Sequence, residues 1–221
     1  MEKKPKVILV DSMFMRRSYL ENFINDSESS YVCGVCSDSD DAYDVCKQNN
    51  ADLVLIEAYS SRNPNTFENV KKIKSGCENI KVIIFTDLPE ISFINMAKKV
   101  ECDSFWYIED NCNSLIELMK ITQYGESCFP DDTPVEKIGC TLSNDFSNAE
   151  IGVLIKLCQS KTNKVIAEEL KISVNTVKYH IKNMLVKSGY NNKYCLALDA
   201  IDKRMIIPKL KWYCNVEREQ I

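Results

Sequence analysis

The chain contains a single histidine, His180. That scarcity excludes the zinc sites that pair cysteines with histidines at fixed spacing. No apolar run approaches the roughly 20 residues needed to cross a bilayer. The start, MEKKPKVILV, is too briefly apolar for a secretory signal. A cytoplasmic location is therefore expected, with no membrane partner. Neither sign of charge dominates: 28 basic and 32 acidic side chains leave a formal −4. With 45% apolar and 27% charged residues, the chain is neither disordered, collagen-like nor fibrous. Its 221 residues allow one large domain or two modest ones.

Cysteine is plentiful. Eleven are scattered along the chain, and a reducing compartment keeps such thiols free. The one close pair, Cys33 and Cys36, lies in the extended apolar run Tyr31–Cys36 and reads as buried strand thiols. A thiol redox-responsive regulator built on this pair is the competing reading. No nucleophile–base pair or complete metal set is apparent, so neither an enzyme nor a cofactor or metal is expected.

The modest net charge hides an asymmetry. Residues 1–140 hold 15 Lys/Arg and 24 Asp/Glu, a balance of −9. Residues 141–221 hold 13 and 8, a balance of +5. From Lys156 to Lys193 there are eight lysines, with only Glu168 and Glu169 opposing them. An acidic part joined to a basic part suggests two domains with different partners.

In the first part, short apolar runs recur: Lys6–Val10, Tyr31–Cys36, Asp52–Ile56, Lys81–Phe85 and Ser104–Tyr107. Stretches with helical spacing separate them: Phe14–Ile24, Ala42–Gln48, Thr66–Ile73, Ile91–Val100 and Ser114–Thr122. Near-continuous apolar strands are buried on both faces, as in parallel sheets. The expected fold is a doubly wound, flavodoxin-like sheet of five parallel strands. Such sheets bind ligands beyond the carboxyl ends of their strands. The residues there are Asp11, Ser12, Glu57, Thr86 and Ile108.

ValIleLeuValAsp (7–11), AlaAspLeuValLeuIleGlu (51–57), ValIleIlePheThr (82–86) and CysAspSerPheTrpTyrIle (102–108) follow at matching spacing. Residues 5–125 or so thereby resemble the receiver domain of bacterial response regulators, and a receiver-like domain is expected over residues 1–125. The resemblance implies a phosphorylation pocket with two acids for Mg²⁺, an acceptor aspartate, a hydroxyl residue and a lysine. Asp11 and Thr86 fit it. Ser12 replaces the second acid, Glu57 the acceptor and Ile108 the lysine. Losing a carboxylate weakens a Mg²⁺ site, and misplacing an acceptor by about 1 Å can cost roughly a hundredfold. The pocket is degenerate, and Asp phosphorylation is not expected. Glu57 either places a carboxylate nearer Thr86, partly imitating the phosphorylated state, or is a polar remnant at a sheet edge.

Residues 126–145 are rich in turn formers and read as a linker. A capping box, Ser147 to Glu150, then opens a helix with Ile151, Leu154, Ile155 and Cys158 at helical spacing. Thr162 can cap a second helix and Ser173 a third, 174–187, after the turn 171–173. At 100° per residue, Val174, Ile181, Met184 and Leu185 fall within about 80° of Val177. Lys178, Lys182, Asn175 and Tyr179 fall between about 100° and 200°, away from the core. Thr176, Lys187, Asn183 and His180 lie on the flank. Lysine and asparagine suit guanine and adenine edges, and a tyrosine ring can meet a thymine methyl. An amphipathic helix with a solvated lysine face is the plain alternative, but the preceding helix and tight turn favour a major-groove reader.

PheSerAsnAlaGlu (146–150), AsnLysValIleAlaGluGluLeu (163–170) and the run from Ile172 to Gly189 resemble the LuxR-type helix-turn-helix domain. The resemblance runs from about Leu142 to Ile201 without a gap, and the domain is expected over residues 146–206. It implies base reading by Lys178, Tyr179 and Lys182, and backbone contacts from Lys164, Asn175, Thr176 and Lys187. Tyr179 replaces a small aliphatic residue, and Ser160 a common glycine. A receiver followed by this domain is the order of NarL/FixJ-type response regulators. It implies double-stranded DNA as partner and a homodimer. In that family a fourth helix, here about Lys193–Arg204, supplies the dimer contact. Its Leu196, Ala197, Ala200 and Ile201 could equally pack in the core. A regulatory protein partner of residues 1–125 is the other alternative, and the tail 207–221 has no assigned role.

Overall fold

The computed structural model describes residues 4–60, 64–108 and 112–208. Among these, 4–87 with 92–131 form one compact unit, and 88–91 with 132–208 a second. No helix of the described residues is long and apolar enough to cross a membrane.

The first unit is a five-stranded parallel sheet flanked by helices. Its strands are β1 (Lys6–Val10), β2 (Tyr31–Cys36), β3 (Leu53–Glu57), β4 (Lys81–Thr86) and β5 (Ser104–Tyr107). The helices are α1 (Phe14–Asp26), α2 (Ala42–Asn49), α3 (Thr66–Gly76), α4 (Phe93–Lys99) and α5 (Asn113–Gln123). The spatial order β2-β1-β3-β4-β5 is the flavodoxin-like one, with its switch point between β1 and β3. Val7, Leu9, Leu53, Leu55, Ile83 and Phe85 form a single apolar core with Leu20 and Ile24 of α1 and Leu115, Leu118 and Met119 of α5. By strand alternation, the equally buried Ile8, Val10, Val54, Ile56 and Ile84 serve the other layer. Both faces are covered, which is why these strands read as unbroken apolar runs.

Several boundaries shift by one to three residues from the sequence expectation, and three bear on the site. β3 runs to Glu57 and β4 to Thr86, each one residue further, because the ladder Glu57↔Phe85 and Thr86↔Tyr107 continues into the polar residues. α4 starts at Phe93, two residues later than expected.

The second unit opens with a hairpin, β6 (Lys137–Ile138) and β7 (Thr141–Leu142), and a 3-10 turn, Ser143–Asp145. The sequence reads this stretch as linker. It is instead part of the unit: Ile138 is fully buried, Cys140 N–H donates to the Ser188 carbonyl at 2.9 Å, and Gly139 N–H to Asp199 at 3.1 Å. Gly139 has φ +60°, and a Cβ there would lie 2.1 Å from the Ser188 carbonyl oxygen. Two-residue strands are too short to leave a periodic signal, so composition alone suggests linker.

Helices α6 (Asn148–Cys158), α7 (Asn163–Glu169), α8 (Val174–Ser188) and α9 (Lys193–Asp202) follow. Each cap expected from the sequence is made. Ser147 Oγ accepts from Glu150 N–H while Glu150 accepts from Ser147 N–H, Thr162 accepts from Val165 N–H, and Ser173 from Thr176 N–H. Val153, Leu154, Ile166, Val177, Met184, Leu196 and Ala200 build the core, at about 1.5–3 kcal/mol for each large aliphatic side chain. Ser160, between α6 and α7, adopts φ +60°, a conformation glycine takes without strain.

Candidate functional site: an acidic pocket and a reading helix

The switch point brings the ends of β1 and β3 together, and with them Asp11 and Glu57. Asp11 is fully buried and Glu57 nearly so. Glu57 ends a central strand, which removes the sheet-edge reading. Its Oε2 accepts from Ser12 N–H at 3.2 Å and from Ser12 Oγ at 2.8 Å. A carboxylate at position 12 would repel Glu57, and the hydroxyl there donates to it instead.

Sequence reasoning finds no cation for this pocket, because Ile108 stands at the lysine position. Ile108 does pack against the apolar core. The cation comes instead from α1. Arg16 Nε donates to Asp11 Oδ2 at 2.6 Å and its NH2 to Asp11 Oδ1 at 2.9 Å. The same NH2 pairs with Glu57 Oε1, and NH1 lies 3.4 Å from Asp87. The guanidinium also covers the Phe85 ring, 5.4 Å from its centroid. Helical periodicity does place Arg16 beside Leu20 on the inner side of α1, the one signal that could have revealed it.

Burial alone would make the Arg16 guanidinium easier to deprotonate, but Asp11, Glu57 and Asp87 outweigh it and hold the charge more firmly. Burial pushes the Glu57 carboxyl up, against Ser12 and Arg16, which pull it down. The receiver fold implies Mg²⁺ here, and the residues present do not fit it. Both oxygens of Asp11 are engaged by the Nε/NH2 edge of a guanidinium, and Glu57 by Arg16 and Ser12. No group of three or more His, Cys, Asp or Glu among the described residues is arranged for a metal. Thr86, at the end of β4, is buried.

In the second unit, α7, the turn through Lys171 (φ +53°) and α8 form a helix-turn-helix. Val177, Ile181 and Met184 of α8 are buried, as the helical projection requires. Val174 is 37% exposed, because the first turn of α8 extends past the core. Asn175, Lys178, Tyr179 and Lys182 are exposed, as is Lys164 on α7. Lys164, Lys178 and Lys182 make no ion pair with any described residue. Tyr179 is 61% exposed and meets the His180 ring edge-on. Thr176 is half-buried, its hydroxyl 2.8 Å from that of Ser173.

Lys187 is placed differently. Its Nζ donates to Glu150 at 2.7 Å and to the Asp145 carbonyl at 2.9 Å. It joins the end of α8 to the capping box of α6. Burial would raise the Glu150 carboxyl, yet Lys187 and the Ser147 N–H hold it below its ordinary range. Lys156 and Lys161 both pair with Glu169, and Lys193 donates to Asn163. Of the eight lysines from 156 to 193, these four are tied within the fold. Lys164, Lys171, Lys178 and Lys182 are the exposed remainder.

On α9, Leu196, Ala197 and Ala200 are buried, so the core-packing alternative describes them. Tyr194 and Leu198 point outward, at 69% and 65% exposure. The thiols of Cys33 and Cys36 are both pushed up by burial, that of Cys36 to about 11. A protonated thiol is a poor redox centre.

Residues 144–199 match the family model described as "Bacterial regulatory proteins, luxR family". The response regulator protein VraR of Staphylococcus epidermidis is 25% identical over 206 residues, covering 91% of this chain and 98% of that protein. The uncharacterized transcriptional regulatory protein YxjL of Bacillus subtilis is 25% identical over 201 residues, covering 86% and 92%. Among solved structures, the two-component response regulator RcsB in complex with DNA is similar over 90% of this chain and 98% of its own. Its TM-score is 0.60 at 17% identity. The receiver domain of the putative response regulator NarL from Mycobacterium tuberculosis matches 56% of this chain and 99% of its own, with a TM-score of 0.52 at 15% identity. The chain thus joins a receiver-like α/β unit to a helix-turn-helix that matches the luxR-family model, and over nearly its whole length it is similar to response regulators.

Proposed function

We propose that the protein is a sequence-specific transcriptional regulator that works without Asp phosphorylation. The observation that carries DNA reading is the stripe Asn175, Lys178, Tyr179 and Lys182 on α8, exposed and making no ion pair with any described residue. Lys178 and Lys182 read base edges, and Tyr179 presents an apolar ring to a thymine methyl. Lys164, Asn175 and Thr176 hold the phosphate backbone, which supplies most of the affinity. Lys187 contributes as a clamp on α8 more than as a phosphate contact. Two copies bind together, and the outward Tyr194 and Leu198 of α9 supply the apolar part of the contact. This reading sets the protein on DNA in the cytoplasm, with no catalytic role.

Independence from phosphorylation rests on Arg16. A phosphoryl group needs a metal, an acceptor and a neutralising lysine. Here the acids that would hold the metal already hold a guanidinium, the acceptor is a glutamate engaged by Ser12, and the lysine is an isoleucine.

Selection of bound duplexes from a random pool gives the operator. The Lys178→Ala, Lys182→Ala double variant should then lose preference for it, and equal binding by both proteins would reject the site. Incubation with acetyl phosphate and Mg²⁺, followed by intact-mass measurement, should show no phosphoryl adduct. A stable adduct at Glu57 or Asp11 would overturn phosphorylation independence.

A further inference from the structure

The turn between α7 and α8 stores backbone strain on a charged residue. Lys171 adopts φ +53°, in the left-handed region that glycine enters freely and a residue with a Cβ enters at a cost. It closes α7. Its N–H donates to the Glu168 carbonyl at 3.4 Å, and Ile172 N–H donates to the Ala167 carbonyl at 3.0 Å. This is the paired arrangement in which helices end on glycine or asparagine. The fold alone would favour one of those two residues here.

Two ordinary reasons for a lysine fail. A cation can favour the negative end of a helix. Yet Glu101 closes α4 with the same pair of bonds, to the Lys98 and Ala97 carbonyls, at φ +57°. Helix-end charge therefore does not dictate the residue at this position. An ion pair can also hold a lysine, and Glu168 stands three residues before this one. Lys171 nevertheless makes no ion pair with any described residue. Glu169, the other nearby acid, is occupied by Lys156 and Lys161. Lys171 is exposed.

The position supplies a reason. A reading helix enters the major groove by its N-terminal end while the helix before it crosses the backbone. The turn that joins them then runs along the phosphates. Lys171 stands two residues before Ser173, the cap of α8, and Asn175 follows in the exposed first turn. Lys164, near the start of α7, lies about 10 Å back along the helix at roughly 1.5 Å per residue, so the two ammonium groups can hold separate phosphates.

We propose that Lys171 is a DNA-backbone contact of this chain, and that the turn carries left-handed strain to keep a cation over the phosphates. Backbone strain persists where it serves a site. Because the contact is to phosphate, it adds affinity for every sequence alike and carries no base preference. A regulator whose affinity phosphorylation does not raise is helped by such a fixed contact. This role rests on the DNA reading by α8. It adds a residue that helical azimuth cannot reveal, since Lys171 lies outside both helices.

The test uses the full chain, a duplex selected from a random pool and a shuffled duplex of the same composition. Binding is followed by fluorescence anisotropy across a salt series. Lys171→Gly should weaken binding to both duplexes about fivefold near 0.15 M salt, the factor one released counterion contributes relative to 1 M. The salt slope should fall by about 1 in magnitude. The melting temperature should be no lower than that of the wild type, because glycine takes this conformation without strain. Lys171→Arg should keep both affinity and slope. Unchanged affinity and slope in Lys171→Gly overturn the proposal. So does a loss confined to the selected duplex, which would be base reading, or a lower melting temperature, which would be a role in the fold. The Lys178→Ala, Lys182→Ala double variant is measured alongside. If it keeps the preference for the selected duplex, DNA reading by α8 fails and the Lys171 contact falls with it. If it loses that preference while Lys171→Gly binds as the wild type does, the Lys171 contact fails alone.

Discussion

The two units treat their charges in opposite ways. In the receiver-like unit, acids capture a cation where the fold would otherwise leave carboxylates open for Mg²⁺. Asp11, Glu57 and Asp87 gather around Arg16, and the pocket closes on itself. In the helix-turn-helix unit, Glu150 and Glu169 capture Lys187, Lys156 and Lys161, and the pairing leaves Lys164, Lys178 and Lys182 standing clear. One set of ion pairs closes a site and the other delimits one. Net charge alone distinguishes neither, since it does not register which partner each side chain has.

The largest expected effect falls on the first unit. Arg16→Ala leaves Asp11 and Glu57 buried without a cation, which costs about 3–5 kcal/mol in comparable pairs. Urea unfolding followed through the buried Trp106 checks this, and a loss below about 1 kcal/mol would break the contrast. Next comes the reading helix. Lys178→Ala should cost about 1–3 kcal/mol of discrimination at one base position, with stability unchanged.

Lys187→Ala separates the two classes of lysine in one domain. It should lower stability by about 1–2 kcal/mol, because Glu150 loses its partner, and leave the salt dependence of DNA binding unchanged. Lys164→Ala should do the converse, reducing the magnitude of the salt slope by about 1 with no effect on unfolding. Acid sharpens the same division. Glu150 and Glu169 sit below the ordinary value of 4.5, so the stability they give is complete above that value. It is lost as pH falls through their lowered pKa. Glu57 is shifted upward, so its contribution runs the other way and declines as pH rises through its folded value. Unfolding of the two units, monitored separately from pH 3 to 7, should show these opposite trends. The smallest effect is expected at Ser160→Gly, a gain of about 0.5–1 kcal/mol from relieved left-handed strain.

Much of the fold is legible in the sequence because its signals are local. The apolar strand runs and the caps at Ser147, Thr162 and Ser173 each depend on neighbours in the chain. So does the azimuth of Lys178, Tyr179 and Lys182. What escapes is long-range. Arg16 meets Glu57 across 41 residues, and Lys187 meets Glu150 across 37. Neither pairing leaves a periodic trace, and a lysine in a basic segment looks like any other. The hairpin at Lys137–Leu142 escapes for a different reason: its order comes from Ser188 and Asp199, not from its own composition.

The clamp between Lys187 and the capping box of Glu150 has a consequence for how such a regulator diversifies. It pins the last turn of α8 to the start of α6, so the rotation of the helix about its own axis is set before any duplex is met. Side chains at 178, 179 and 182 can then be exchanged without disturbing the frame that aims them. Under the proposed DNA reading, the vocabulary of the operator and the stability of the domain become separate variables, and a lineage can rewrite the first while leaving the second alone.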